Sequence, residues 1–359
     1  MGFAGCTTRP TEFNTTLDRL TSDLGITRVV RFGERTRGTG EVFQAVEMGR
    51  GVHCPAFYDR LQNPDYALFR AARNDSTNGT VLYVTDGVQS DWRGSNPGPS
   101  LGLLTDWLAE RRAIAILTFR SRFAGPAWSE QAQRMLPAVT TDRRPFYVFV
   151  LAATEADVDA LLRRLSSGTL ENASVLRFAP DGASCRVLPG KQLRKYVSRT
   201  APPWTMVQFE RLNTAGADRR ADLEYACALR SDYPIAQVSP RVSARYLQWK
   251  SGKFNAIADA EGQIAFRAES SAVTPGGSSV RLAMTLPFDR TVRYGLYNLR
   301  VDADPGQIRS SIDSLSTDSD ATTDSFDRTY RFSWLVERLA RAQLARAPWA
   351  PHSLTVQYR

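Results

Sequence analysis

Four apolar residues, Val81 to Val84, run into Thr85, Asp86 and Gly87, and a second carboxylate follows at Asp91, beside Trp92. A carboxylate placed where a buried run ends meets solvent or a ligand. Side chains bearing oxygen suit a hard divalent cation, which takes carboxylate, hydroxyl and water ligands. Asp86 with Asp91 could also hold a metal for phosphoester hydrolysis, although two carboxylates in one loop fall short of a catalytic constellation. The plainer reading is a turn, since a D-G step commonly ends a strand. Residues 88–100, VQSDWRGSNPGPS, are polar and rich in Gly and Pro. Such loops carry recognition on a rigid scaffold.

Other reactive residues are few. The only histidines are His53 and His352, and the four cysteines, Cys6, Cys54, Cys185 and Cys227, show neither CxxC nor Cys/His ligand spacing. That pattern argues against zinc. No G-x-S-x-G or cysteine signature supports a nucleophilic triad. The even cysteine count permits Cys6–Cys54 and Cys185–Cys227 disulfides in an oxidising compartment; buried free thiols are the alternative. Asp318, Asp320 and Asp324 fall at positions 1, 3 and 7 of a calcium-type loop, but Gly at position 6 and Glu at position 12 are missing. The stretch therefore reads as a solvated acidic loop. Seven scattered tryptophans read as core and rim packing, with Trp92 the exception.

The elements that must position these residues alternate in the first half. Phe13, Leu17, Leu20 and Leu24 share one face of a helix that Thr11 caps and Gly25 stops. Strands are expected at 26–33, 81–85, 113–123 and 144–152, and helices at 57–73, 100–112, 128–136 and 155–165. This alternation predicts an α/β fold, a doubly wound and mostly parallel sheet covered by helices on both faces. Ligands of such sheets bind outside the carboxyl ends of the strands, where Thr85 and Asp86 lie. From residue 204 onward, short alternating runs separated by Gly, Pro, Ser and Asp predict an antiparallel β-sandwich. A late helix over 330–346 follows, with Phe332, Leu335, Leu339 and Leu344 facing a core.

Length and charge divide the chain similarly. At 359 residues, two domains are expected: an α/β domain over 1–180, a basic, proline-marked linker over 181–203, and a β-rich domain over 204–359. Residues 1–180 carry 21 Lys and Arg against 19 Asp and Glu, and the remainder 25 against 18. Much of the excess sits at Lys191, Arg194, Lys195 and Arg199. A basic patch is the footprint of an anionic partner, but no nucleic-acid-binding motif accompanies it, and a solvated basic connection is the expectation. No apolar run approaches about 18 residues, so no transmembrane segment is expected.

The order of helix, strand, helix, VLYVTDG, helix and AIAILTF resembles the von Willebrand factor type A domain over residues 1–180. In that family the matching aspartate, here Asp86, helps form a metal-ion-dependent adhesion site for Mg²⁺ or a similar divalent cation. The resemblance implies a non-enzymatic binding protein. It would engage a protein partner through Thr85, Gly87, Asp91 and Trp92 at the strand ends. The family's first strand ends in Asp-x-Ser-x-Ser, which this sequence lacks, and Thr39 is a weak candidate for the remaining hydroxyl ligand. Because MGFAGCTTRPTEF occupies the position just after that motif, the first strand is expected upstream of Met1. The alternatives are a divergent domain with a degenerate site, a structural envelope component, and the hydrolase already described. Phe3-Ala4-Gly5-Cys6, similar to the end of a lipoprotein signal, points to the cell envelope or periplasm with peripheral association. The absence of an apolar signal region points to the cytoplasm.

Overall fold

Helix α1 (Glu12–Leu24) forms as its sequence dictates. The Thr11 hydroxyl accepts from the Asn14 amide, and Gly25, at φ 62°, closes the last turn with its amide on the Ser22 carbonyl. Glycine tolerates this left-handed conformation without strain. The computed structural model describes residues 11–26, 28–34, 41–47, 79–87, 99–178, 183–188, 197–201, 204–209, 219–250, 253–256, 265–269, 278–286, 294–322, 325–346 and 350–358. The expected helix over 57–73, together with Thr39, Cys6 and Cys54, lies outside these residues. The chain forms two units: Met1–Pro180 with Ile308–Gln343, and Asp181–Gln307 with Leu344–Arg359.

In the first unit, β1 (Arg28–Glu34) and β2 (Glu41–Glu47) make a two-stranded antiparallel pair. The central sheet contains β3 (Val81–Thr85), β4 (Ala113–Ser129), β5 (Arg134–Ala152) and β6 (Ser174–Phe178) in the order β3-β5-β4-β6. Every neighbouring pair is antiparallel, which corrects the mostly parallel, doubly wound sheet implied by the resemblance. The physical reason lies at 128–136. That segment is expected as a helix, but β4 continues to Ser129, a four-residue turn follows, and β5 starts at Arg134. A turn this short joins only antiparallel strands, because a parallel return needs a crossover of a dozen or more residues. Helix α2 (Pro99–Ala109) joins β3 to β4, and helix α3 (Glu155–Arg164) joins β5 to β6. Each β-α-β crossover thus straddles one strand of the other.

Alternation along β4 and β5 sorts the two faces. Ala113, Ala115, Leu117, Phe119, Phe146, Val148 and Val150 pack with Phe13, Leu17, Leu20 and Leu24 of α1 and with Val158, Leu161 and Leu162 of α3. Fully burying one such large side chain contributes about 1.5–3 kcal/mol. A capping box between Thr154 and Asp157 starts α3. At its other end Arg164 donates to the Leu24 carbonyl at 2.6 Å, tying α3 to the end of α1. On the opposite face Tyr83, Tyr147 and Phe149 are buried, and Phe332 of α4 (Phe332–Arg346) stacks on Tyr147 with ring centroids 4.3 Å apart. The expected core positions of this late helix, Phe332, Leu335, Leu339 and Leu344, are all buried.

Among the described residues, the second unit holds two sheets. One runs Ala265–Glu269, Ser278–Leu286, Arg219–Leu229, Ala183–Leu188, antiparallel throughout. The other has six strands: Lys253–Ala256, Val238–Lys250, Tyr294–Pro305, Ala350–Tyr358, Trp204–Phe209 and Val197–Ala201. Its C-terminal strand lies parallel to Trp204–Phe209. In the four-stranded sheet Cys185 stands directly opposite Cys227. Opposed residues of an antiparallel pair have Cα atoms about 4.5–5.5 Å apart, within the span of a disulfide.

Candidate functional site

The end of β3 is the site the sequence singles out, and its groups are turned on one another. Thr85 is 2 % exposed, and its hydroxyl accepts from the Gly87 amide at 3.1 Å, closing a tight turn around Asp86. Gly87 has φ 73° and lies against Tyr147; a Cβ there would sit 2.5 Å from the ring. Glycine is therefore required twice, by the left-handed backbone and by the close approach. Tyr147 is itself fixed, paired with Thr85 across the sheet and donating its hydroxyl to Thr329 at 2.9 Å. Burial pushes this phenol's pKa well above the ordinary tyrosine value, so it is a protonated donor.

Asp86 has a charged partner. Arg144 Nη2 lies 3.3 Å from its Oδ2, and the arginine side chain is only 4 % exposed. The guanidinium packs over the rings of Phe123 and Phe326, at 4.4 and 4.8 Å from their centroids. Burial lowers the affinity of Arg144 for its proton, and Asp86 opposes that shift; the ordinary value is high enough to keep the group charged. The carboxylate thus neutralises a cation supplied by the protein. A divalent ion would need several oxygen ligands and would stand beside this guanidinium, so the described residues do not fit the Mg²⁺-type site implied by the resemblance. Among the described residues, no group of three or more His, Cys, Asp or Glu side chains could hold a metal ion. Asp91 and Trp92, and the basic residues Lys191, Arg194 and Lys195, lie outside the described residues.

A second carboxylate behaves in the same way. Asp320, expected in a solvated loop, is 4 % exposed. It accepts from the Ser129 hydroxyl at 3.0 Å, the Glu130 amide at 2.7 Å and the Gln131 amide at 2.9 Å. Its role is to satisfy the turn between β4 and β5, where Gln133 adopts φ 51°. Asp318, by contrast, is exposed.

The remaining site was not visible in the sequence. A cleft of about 500 Å³ opens beside the first turns of α1, over the strand β4. It is lined by the buried residues Thr118, Phe119 and Leu315 and by Thr15, Thr16, Arg19, Arg120 and Ser174. The cleft exists because β6 begins at Ser174, opposite Thr118. Beyond that point no described strand pairs with β4 on this side. The only sequence signal is the polar Thr118 inside the apolar run AIAILTF, which as a strand position carries no functional meaning by itself. No protein-family model matches the chain, and no curated protein matches it.

Proposed function

We propose that the chain is a non-enzymatic binding protein whose α/β unit is a rigid support for recognition of a protein partner, independent of divalent cations. The observation that carries this reading is the Asp86–Arg144 pair, whose arginine is buried against Phe123 and Phe326. With the Gly87 turn seated on Tyr147, it fixes the root from which 88–100 departs. A firmly held root lowers the entropic cost of ordering a loop on binding, and by sequence this loop carries Asp91 and Trp92. Trp is a frequent anchor of protein interfaces. The spent carboxylate argues equally against a metal-dependent hydrolase built on Asp86.

The test is affinity capture by the full-length chain from an extract of the cells that produce it, with Mg²⁺ or with a chelator, using wild type and Trp92→Ala. The same partner should be recovered under both conditions and lost with Trp92→Ala. Loss on chelation would restore the cation-dependent mechanism, and full retention by Trp92→Ala would remove the loop from recognition. Calorimetric titration of the chain with Mg²⁺ alone should show no site dependent on Asp86.

A further inference from the structure

We infer that Cys185 and Cys227, opposed across two strands of the second unit, form a disulfide that fixes an edge strand to its sheet. The first support is register. Strand Ala183–Leu188 pairs antiparallel with Arg219–Leu229, and Cys185 falls directly opposite Cys227. Residues so placed have Cα atoms about 4.5–5.5 Å apart, inside the disulfide range of about 4.4–6.8 Å. The bond therefore closes at the backbone spacing that the ladder already sets.

Position on the sheet is the second support. Ala228 is exposed and Leu229 buried, and alternation places Cys227 on the face of Leu229, with Tyr225 and Leu223. Across the ladder, Leu229 meets Ala183, Cys227 meets Cys185 and Tyr225 meets Val187. Ser184, Arg186 and Glu224 stand on the other face. A single cysteine among such positions would be a small apolar residue. Two of the four cysteines on one rung, about 40 residues apart in sequence, make the arrangement a cross-link needs.

What the bond does follows from the order of the sheet. Ala183–Leu188 is the end strand, and among the described residues it is hydrogen-bonded in the sheet only to Arg219–Leu229. It is also the first described strand of the second unit, which begins at Asp181. A strand held by one ladder, where the chain passes from one unit to the other, opens at low cost. A covalent rung opposes that opening.

Closure is a two-electron oxidation by a low-molecular-weight disulfide such as oxidised glutathione. One cysteine thiolate attacks it, forming a mixed disulfide and expelling one glutathione thiolate; the second cysteine thiolate attacks the protein sulfur of that mixed disulfide and expels the other. Two protein thiols lose their protons, the Cys185–Cys227 bond forms, the glutathione S–S bond breaks, and two glutathione thiols result.

The test is to equilibrate the full-length chain with reduced and oxidised glutathione, alkylate it in denaturant, digest it without reductant and map the peptides by mass spectrometry. A linked pair carrying Cys185 and Cys227 is expected. Recovery of both as alkylated thiols, or of either joined to Cys6 or Cys54, would overturn the inference. Urea unfolding with and without dithiothreitol gives the second readout, in wild type and in the Cys185→Ala/Cys227→Ala double variant. Reduction should lower the folded-to-unfolded ratio of wild type about thirty- to a thousandfold and leave the double variant unchanged. No response in wild type, or an equal response in both proteins, would remove the proposed role. The peptide map requires no variant, so it decides the inference even where the double variant folds poorly.

Discussion

At the end of β3 the polar groups face one another, whereas within β4 the buried Thr118 hydroxyl has no hydrogen-bond partner among the described residues. Asp86 neutralises Arg144, whose guanidinium lies against two aromatic rings, and Thr85 closes on Gly87. Thr118 is as deeply buried as Arg144 and has no partner among the described residues. The contrast separates two meanings of a buried polar residue. A satisfied one positions backbone, and an unsatisfied one costs stability. The Thr-Asp-Gly stretch finds its polar partners within the protein, and the strand threonine finds none among the described residues.

The sharpest way to break this contrast is to open the closed site. Arg144→Ala leaves Asp86 without its partner and empties the space between Phe123 and Phe326. Urea unfolding should show a loss of about 3–5 kcal/mol. Replacing both partners, Arg144→Met with Asp86→Leu, should return much of that loss, because apolar groups of similar volume often substitute for a buried pair. A loss under about 1 kcal/mol for Arg144→Ala would show that the pair is not a closed structural unit.

Gly87→Ala comes next. The left-handed backbone costs an alanine about 1 kcal/mol, and the clash with the Tyr147 ring adds overpacking of about 1–3 kcal/mol. The variant should unfold at distinctly lower urea, and an unchanged midpoint would mean that the turn is not seated on Tyr147. Asp320→Ala should cost about 2 kcal/mol through the two amides and one hydroxyl it strands. Amide hydrogen exchange at Glu130 and Gln131 should accelerate; protection left unchanged would remove Asp320 from the turn.

The smallest effect sharpens the comparison from the side of the cleft. The Glu12 carboxylate is held below the ordinary glutamate range, first by its own backbone amide and then by the Arg122 amide and the Ser121 hydroxyl. A depressed folded-state value means the associated stability is fully present above the unfolded-state pKa. It is lost as pH falls through the lower, folded value. Glu12→Gln should therefore lower neutral stability slightly and flatten the acid side of the stability profile, the two proteins converging at low pH. An identical acid limb in the two proteins would contradict the assignment.

Local features of the sequence proved readable where local forces decide. The α1 helix follows from Thr11, Gly25 and the spacing of Phe13, Leu17, Leu20 and Leu24, all of which the structure places as expected. The late helix follows from the spacing of Phe332, Leu335 and Leu339. The misreading of 128–136 shows the limit. WSEQAQRML contains good helix formers, but the carboxylate that shapes it into a turn, Asp320, is 191 residues from Ser129. No window of local sequence contains that interaction. Arg144 is equally hidden, since nothing in TTDRRPFYV distinguishes an arginine that will be buried 58 residues from its partner Asp86. The cleft was illegible because it depends on where β6 stops beside β4.

The first unit is completed only by Ile308–Gln343, after the whole of Asp181–Gln307 has intervened. During synthesis the ribosome must therefore deliver that long insertion before Phe332 can cover Tyr147 or Phe326 can close over Arg144. At roughly 5–20 residues per second, the delay is on the order of ten seconds. Throughout it the nascent sheet presents Tyr147 without the cover of Phe332. Chaperone dependence in expression, and failure of any fragment cut at residue 180, follow from this chain order.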